Sequence, residues 1–111
     1  MELFKTLFAT LQKSFAANAL TVYHNGCLAF GEAESDKLLP EYQTFDTPKY
    51  IVSENDEPLL NTANVKSRFV FNTKTENNQL LFIISSKKPR AWENDYKQLL
   101  HALVACRDVF K

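Results

Sequence analysis

The chain has little of what usually marks a chemical site or a membrane anchor. Its 111 residues include two glycines, two cysteines, two histidines and one tryptophan. Cys27 and Cys106 lie far apart and form no CxxC pair, so neither a disulfide framework nor a thiolate metal site is expected. No apolar run approaches the roughly 20 residues of a membrane span. We therefore expect a cytoplasmic protein with reduced thiols and no membrane segment.

Excess charge of one sign is also missing. Lys and Arg number 13 and Asp and Glu number 13, so the formal net charge at pH 7 is zero. Proteins that bind nucleic acids or acidic membranes usually carry a positive field, and we expect neither kind of partner here. The acidic residues at 32–36 and 54–57 are interpreted as solvated loop residues. The basic residues of the second half are interpreted as solvated surface; they include Lys66, Arg68, Lys74, Lys87, Lys88 and Arg90.

Hydrophobic residues do follow clear periods in the first part of the chain. Apolar residues recur at steps of three and four from residue 3 to residue 15, which predicts a helix over 2–17 that ends at Asn18. Residues 20–24 and 27–30 then flank Asn25-Gly26, the pair that a two-residue hairpin turn requires. The sequence thus predicts a helix followed by a β-hairpin.

The second part predicts three more strands and a terminal helix. Residues 32–49 contain Pro40 and Pro48 and form an irregular connection, with one helical turn predicted at 35–39. Strands are predicted at 50–53, 68–71 and 80–85, with a short connection at 59–66, and an amphipathic helix at 92–110. We therefore expect one α+β domain over residues 1–111. Its antiparallel five-stranded sheet would carry both terminal helices on one face.

The end of the chain resembles a GAF domain. An apolar strand ends in Ser85-Ser86 and is followed by the link Lys87-Lys88-Pro89-Arg90-Ala91-Trp92, an acidic helix start at Glu93 and the pair Leu99-Leu100. The resemblance covers residues 2–31 and 68–110. It implies a regulatory role, either in sensing a small molecule between the sheet and residues 32–49 or in docking to a protein. The chain is shorter than typical GAF domains in that middle region, which favours docking.

Other small α+β folds are alternatives to this interpretation. Profilin-like and roadblock/longin-like adaptors also surround a five-stranded sheet with helices, but they usually have a full helix where Pro40 and Pro48 lie. Small secretion chaperones have a similar element order and form dimers, but they are usually clearly acidic. These adaptor classes remain alternatives to a GAF-like docking or sensing module.

No residue pattern predicts catalysis. His24 precedes the hairpin turn without an indicated nucleophile or orienting carboxylate, and His101 lies on a helix without the partners that a metal site needs. Cys27 and Cys106 are interpreted as small hydrophobic residues. We predict that the protein is not an enzyme and has neither a metal nor a cofactor.

The abundance of aromatic residues predicts an interface. Eight of the nine Phe residues are distributed over the predicted helices and strands, and two wide apolar helix stripes could exceed what one sheet covers. The residues expected at the interface lie on the terminal helices; they are Phe4, Phe8, Leu11, Leu100 and Val104. We expect a homodimer that pairs its helices as a four-helix bundle, or an unidentified protein partner.

Overall fold

A computed structural model describes residues 2–52 and 64–110 of the chain. The first elements are helix α1 (Glu2–Phe15) and strands β1 (Ala19–His24) and β2 (Cys27–Phe30). A short helix α2 (Leu39–Tyr42) and strand β3 (Lys49–Val52) follow. The second half contains β4 (Ser67–Lys74), β5 (Gln79–Ser86) and helix α3 (Tyr96–Asp108).

The strands form one five-stranded sheet in the order β2-β1-β5-β4-β3. Every neighbouring pair is antiparallel. The two hairpins β1–β2 and β4–β5 meet where β1 pairs with β5, so β5 is the central strand. The predicted α+β fold is confirmed, including its five antiparallel strands.

Both terminal helices pack on the same face of this sheet. Their buried side chains share one core with alternate strand residues; this core includes Phe4, Leu7, Leu11, Val22, Phe69, Phe82, Leu99 and Leu103. The ring of Phe4 stacks on that of Phe110 at 5.7 Å. The indole of Trp92, just before α3, donates a hydrogen bond to the Phe15 carbonyl at the end of α1. The two helices therefore run antiparallel.

The connection after β2 covers the opposite face. Leu38 and Tyr42 are buried there against the other set of alternate strand residues, which are Tyr23, Ile51, Val70, Leu81 and Ile83. Tyr42 is fully buried. Two apolar cores, one on each face, thus explain why β4 and β5 are buried along most of their length.

The β1–β2 turn has the predicted geometry. Asn25 and Gly26 both have positive φ, at 51° and 84°. This is the conformation of a two-residue turn that matches the twist of the strands. The predicted hairpin is confirmed.

Two helix boundaries differ from prediction. Ala16, with φ of 54°, takes the left-handed position at the end of α1, while the Asn18 side chain accepts a hydrogen bond from the Lys87 amide. At the other end, α3 begins at Tyr96 rather than at residue 92. Trp92 is fully buried in a turn, and Arg90 before it has φ of 53°, so the chain enters the core before the helix starts.

The connection between β2 and β3 is more ordered than its prolines suggest. The Ser35 hydroxyl accepts a hydrogen bond from the Leu38 amide, but the helix lies one turn later than predicted, at Leu39–Tyr42. Pro40 stands in the first turn of α2, where its missing N–H is tolerated. Residue 53 of the predicted third strand and residues 59–63 of the predicted connection lie outside the described residues. Within the described ranges, no helix is long and apolar enough to cross a bilayer.

Candidate functional site

The five predicted interface residues fall into two groups. Phe4 and Leu11 are buried in the core of the protomer, with 1% and 0% of their surface exposed. Phe8, Leu100 and Val104 are half-buried at the margin of that core. Phe4 and Leu11 therefore stabilise the fold, and only the other three are available to a partner in this structure.

The structure does not bring these three residues together. The Phe8 ring contacts the Phe30 ring of β2 edge-to-face at 6.0 Å, so it lies at the β2 edge of the sheet. Leu100 and Val104 share a helix stripe with Arg107, which donates a hydrogen bond to Thr73 of β4. The side chains of the two helices thus emerge on opposite sides of the helix pair.

Apolar surface is concentrated beside strand β2. We call this surface the α1–β2 flank; it consists of Phe8, Leu28, Ala29 and Phe30. β2 is an edge strand of four residues that carries no charged side chain, and 44% of the Leu28 surface is exposed. Exposed edge strands without charges or prolines readily pair with another strand.

A buried ion pair lies on the other face of the sheet. Arg68 of β4 contacts Glu34 of the connection with 2.9 Å between Nη1 and Oε2, and their side chains are 8% and 3% exposed. Arg68 also donates from Nη1 to the Tyr42 hydroxyl at 3.0 Å and from Nε to the Ser85 hydroxyl at 2.9 Å. The backbone amide of Glu34 donates to the Tyr23 hydroxyl at 2.8 Å. We call these five residues the Arg68 cluster.

The environment of Tyr42 favours its neutral form. Burial raises the pKa of the Tyr42 hydroxyl above its usual value, and the nearby Arg68 guanidinium opposes this effect without overcoming it. The hydroxyl therefore stays protonated at neutral pH, and it accepts a hydrogen bond from Arg68. This hydrogen bond joins the connection, which carries Tyr42, to strand β4 of the sheet.

A cavity of about 470 Å³ opens beside the Arg68 cluster. Arg68, Glu34 and Ser85 line its polar side, and Phe8, Leu20 and Phe30 line its apolar side. We call it the Arg68 cavity. It lies between α1, the exit of β2 and the start of β1.

The remaining candidate residues take part in structural contacts or lie apart. His24 Nε2 hydrogen-bonds to the Asn78 side-chain oxygen at 2.7 Å, and its ring lies 5.1 Å from that of Phe110. Burial raises the pKa of the Cys106 thiol to about 11, whereas Cys27 is exposed. In the part of the chain that the structure describes, no three His, Cys, Asp or Glu residues are grouped as metal ligands.

Sequence reasoning missed the Arg68 cluster. The sequence predicts solvated side chains for both Arg68 and Glu34, and this prediction is wrong because they form the buried ion pair. One signal was present: Arg68 alternates with Val70 along a strand whose neighbours are also apolar, so its side chain enters an apolar layer. A charged side chain in such a layer requires a partner of opposite charge.

Neither a protein-family model, nor a curated protein, nor a solved structure matches this chain.

Proposed function

We propose that this chain is a non-enzymatic protein-docking module with a GAF-like layout, which pairs with a second copy of itself through the α1 side of its terminal helices. The observation that carries the proposal is the α1–β2 flank. It combines an uncharged edge strand with exposed Leu28 and the half-buried rings of Phe8 and Phe30. The sequence resemblance over residues 2–31 and 68–110 supports the GAF-like part.

A second copy fits this flank because an edge strand can pair with itself around a two-fold axis. Such pairing requires only that the patch complement itself. Residues Cys27–Phe30 contain no charge, so two antiparallel copies of β2 would meet without repulsion between like charges. Phe8 would then pack beside the paired strands, and the two sheets would become continuous.

The stripe of Leu100 and Val104 has a different place in this proposal. It lies near β4, away from β2, so it stays outside the pair and offers a surface to another protein. Tyr96 precedes it on α3 with 43% of its surface exposed. The four-helix bundle expected from sequence is thereby replaced by side-by-side pairing. A cytoplasmic location, where exposed Cys27 stays reduced, completes the proposal.

Sedimentation velocity tests the pairing. The parent protein should sediment as a dimer of the 12.8 kDa chain at concentrations on the order of 10 µM. Leu28→Lys and Phe8→Asp should each give a monomer, because each places charge on the flank. Val109→Lys is the matched control at an exposed residue of the other helix end, and it should leave the dimer intact.

Two outcomes would overturn the proposal. A parent protein that stays monomeric throughout this concentration range excludes self-docking. A dimer that resists Leu28→Lys and Phe8→Asp but dissociates with Leu100→Asp places the interface on α3 instead. Circular dichroism of each variant checks that the fold is kept, and Leu28→Lys remains informative if Phe8→Asp unfolds the protein, since Leu28 is exposed.

A further inference from the structure

The Arg68 cavity has the size and the mixed lining of a small-molecule site. Its volume is about 470 Å³, with polar Arg68, Glu34 and Ser85 on one side and apolar Phe8 and Phe30 on the other. Binding pockets for small molecules typically have volumes of roughly 300–1,000 Å³ and combine an apolar wall with a few placed polar groups. The proposed docking function makes no use of this polar side.

One nitrogen of the guanidinium is available to a ligand. Nη1 of Arg68 bonds to Glu34 and Tyr42, and Nε bonds to Ser85. No described residue accepts a hydrogen bond from Nη2. In the described residues, every fully buried side-chain nitrogen or oxygen has a hydrogen-bond partner. Nη2 has no such partner, so it must be in contact with solvent, and the cavity that Arg68 lines provides this contact.

The charge of Arg68 is already balanced, which restricts the ligand group. Glu34 Oε2 is 2.9 Å from Arg68 Nη1, and Glu34 Oε1 accepts a hydrogen bond from the Ser35 amide, so the pair has no net charge and each carboxylate oxygen keeps one further acceptor site. An anionic ligand would add a second negative charge next to a buried carboxylate, at a large desolvation cost. A carboxamide, in contrast, can accept a hydrogen bond from Nη2 and donate one to Glu34.

The apolar wall favours an aromatic body on that group. The rings of Phe8 and Phe30 meet edge-to-face at 6.0 Å, and a third planar ring can pack against such a pair with favourable geometry. We propose that the Arg68 cavity binds a small neutral aromatic carboxamide, or a heteroaromatic ring with the same adjacent acceptor and donor. Arg68 Nη2 and Glu34 would recognise its polar edge.

The proposal goes beyond docking and is tested separately from it. A ¹⁵N–¹H correlation spectrum is recorded while benzamide is added to the millimolar range, and benzoate is the matched probe that differs in charge. Saturable shifts are expected at Gly31, Ser85 and the Arg68 Nε–H. Benzoate should bind more weakly than benzamide by a factor of about ten or more; a factor of ten corresponds to about 1.4 kcal/mol of binding free energy.

Variants locate the site. Ala33 lines the cavity and is exposed, so Ala33→Phe should fill the space and weaken benzamide binding by about tenfold or more. Ala105→Phe, at an exposed position on α3, is the matched control and should leave binding unchanged. Arg68→Lys should also abolish the preference for benzamide over benzoate. Arg68 is buried, so this substitution could unfold the protein; in that case the Ala33→Phe result alone decides the test.

Three results would overturn the proposal. The first is the absence of saturable shifts with benzamide. The second is equal affinity for benzoate, which would remove the role of the neutral ion pair. The third is benzamide binding that Ala33→Phe leaves unchanged, which would place the site elsewhere. Phe8 and Phe30 belong both to the cavity wall and to the α1–β2 flank, so the titration is repeated with Leu28→Lys, which is expected to be monomeric and keeps every residue that lines the cavity.

Discussion

The ion pair between Arg68 and Glu34 makes a quantitative prediction about stability. Replacing Glu34 with Ala removes the carboxylate 2.9 Å from Arg68 Nη1, in a site where the two side chains are only 8% and 3% exposed. Arg68 keeps the Tyr42 and Ser85 hydroxyls, but neutral acceptors do not balance its charge. Leaving a buried charge unpaired costs about 3–5 kcal/mol, a large share of the roughly 5–15 kcal/mol that stabilises a domain.

The structure supplies a control with the same contact distance. Arg90 Nη1 also lies 2.9 Å from Glu93 Oε1, but these side chains are 42% and 53% exposed. Exposed pairs contribute about 0–1 kcal/mol, so Glu93→Ala should have almost no effect. Urea denaturation followed by circular dichroism measures both variants, at one protein concentration because the stability of a dimer depends on it.

A double variant separates the loss of the pair from the loss of packing. With Glu34→Leu and Arg68→Met together, no buried charge remains, so the protein should be more stable than with Glu34→Ala alone. It should still be less stable than the parent, because the Tyr42 and Ser85 hydroxyls lose their donor. A Glu34→Ala variant that loses no more stability than Glu93→Ala would refute the reasoning.

Three further predictions concern the two glycines and the two cysteines. Gly31→Ala should lower the free energy of unfolding, measured by urea denaturation, by more than about 2 kcal/mol, because φ is +79° and a Cβ there would overlap the Leu20 carbonyl. Gly26 has φ of +84° and open space around it, so Gly26→Ala should lower it by only about 1 kcal/mol. Equal losses in the two variants would contradict the prediction. Iodoacetamide should alkylate exposed Cys27 in the native protein and Cys106 only after unfolding, as mass spectrometry can show. Burial raises the Cys106 pKa from 9.0 to about 11, so the thiol's contribution to stability should be constant below pH 9 and fall as the pH rises from 9 to 11. In the Cys106→Ala variant, stability should fall less over this pH range.

Local signals predicted the elements that local physics determines. Asn25 and Gly26 take the positive φ values that the hairpin turn needs, and the three- and four-residue spacing placed α1 correctly. Helix ends were less accurate because tertiary contacts decide them. Burial of Ala17 ends α1 before Asn18, and burial of Trp92 delays α3.

The polar side of the Arg68 cavity could not be predicted because it depends on distant parts of the chain. Glu34 and Arg68 are brought together only when the connection folds onto the sheet. Each residue alone resembles an ordinary surface charge in the sequence. The same limit applies to the interface: helical spacing placed Phe4 and Phe8 on one stripe, but only the packed sheet decides that Phe4 is core and Phe8 is marginal.

The stacking of Phe4 on Phe110 brings the two ends of the described fold to one point. The Asn78 side chain holds the same point by donating a hydrogen bond to the Phe110 carbonyl. If this domain were inserted into a surface loop of a host protein, the two ends of the interrupted host loop would need to be separated by little more than the width of two helices. The domain would be attached to its host as a side branch beside edge strand β2, because the Phe4 ring lies 6.4 Å from the Phe30 ring of that strand.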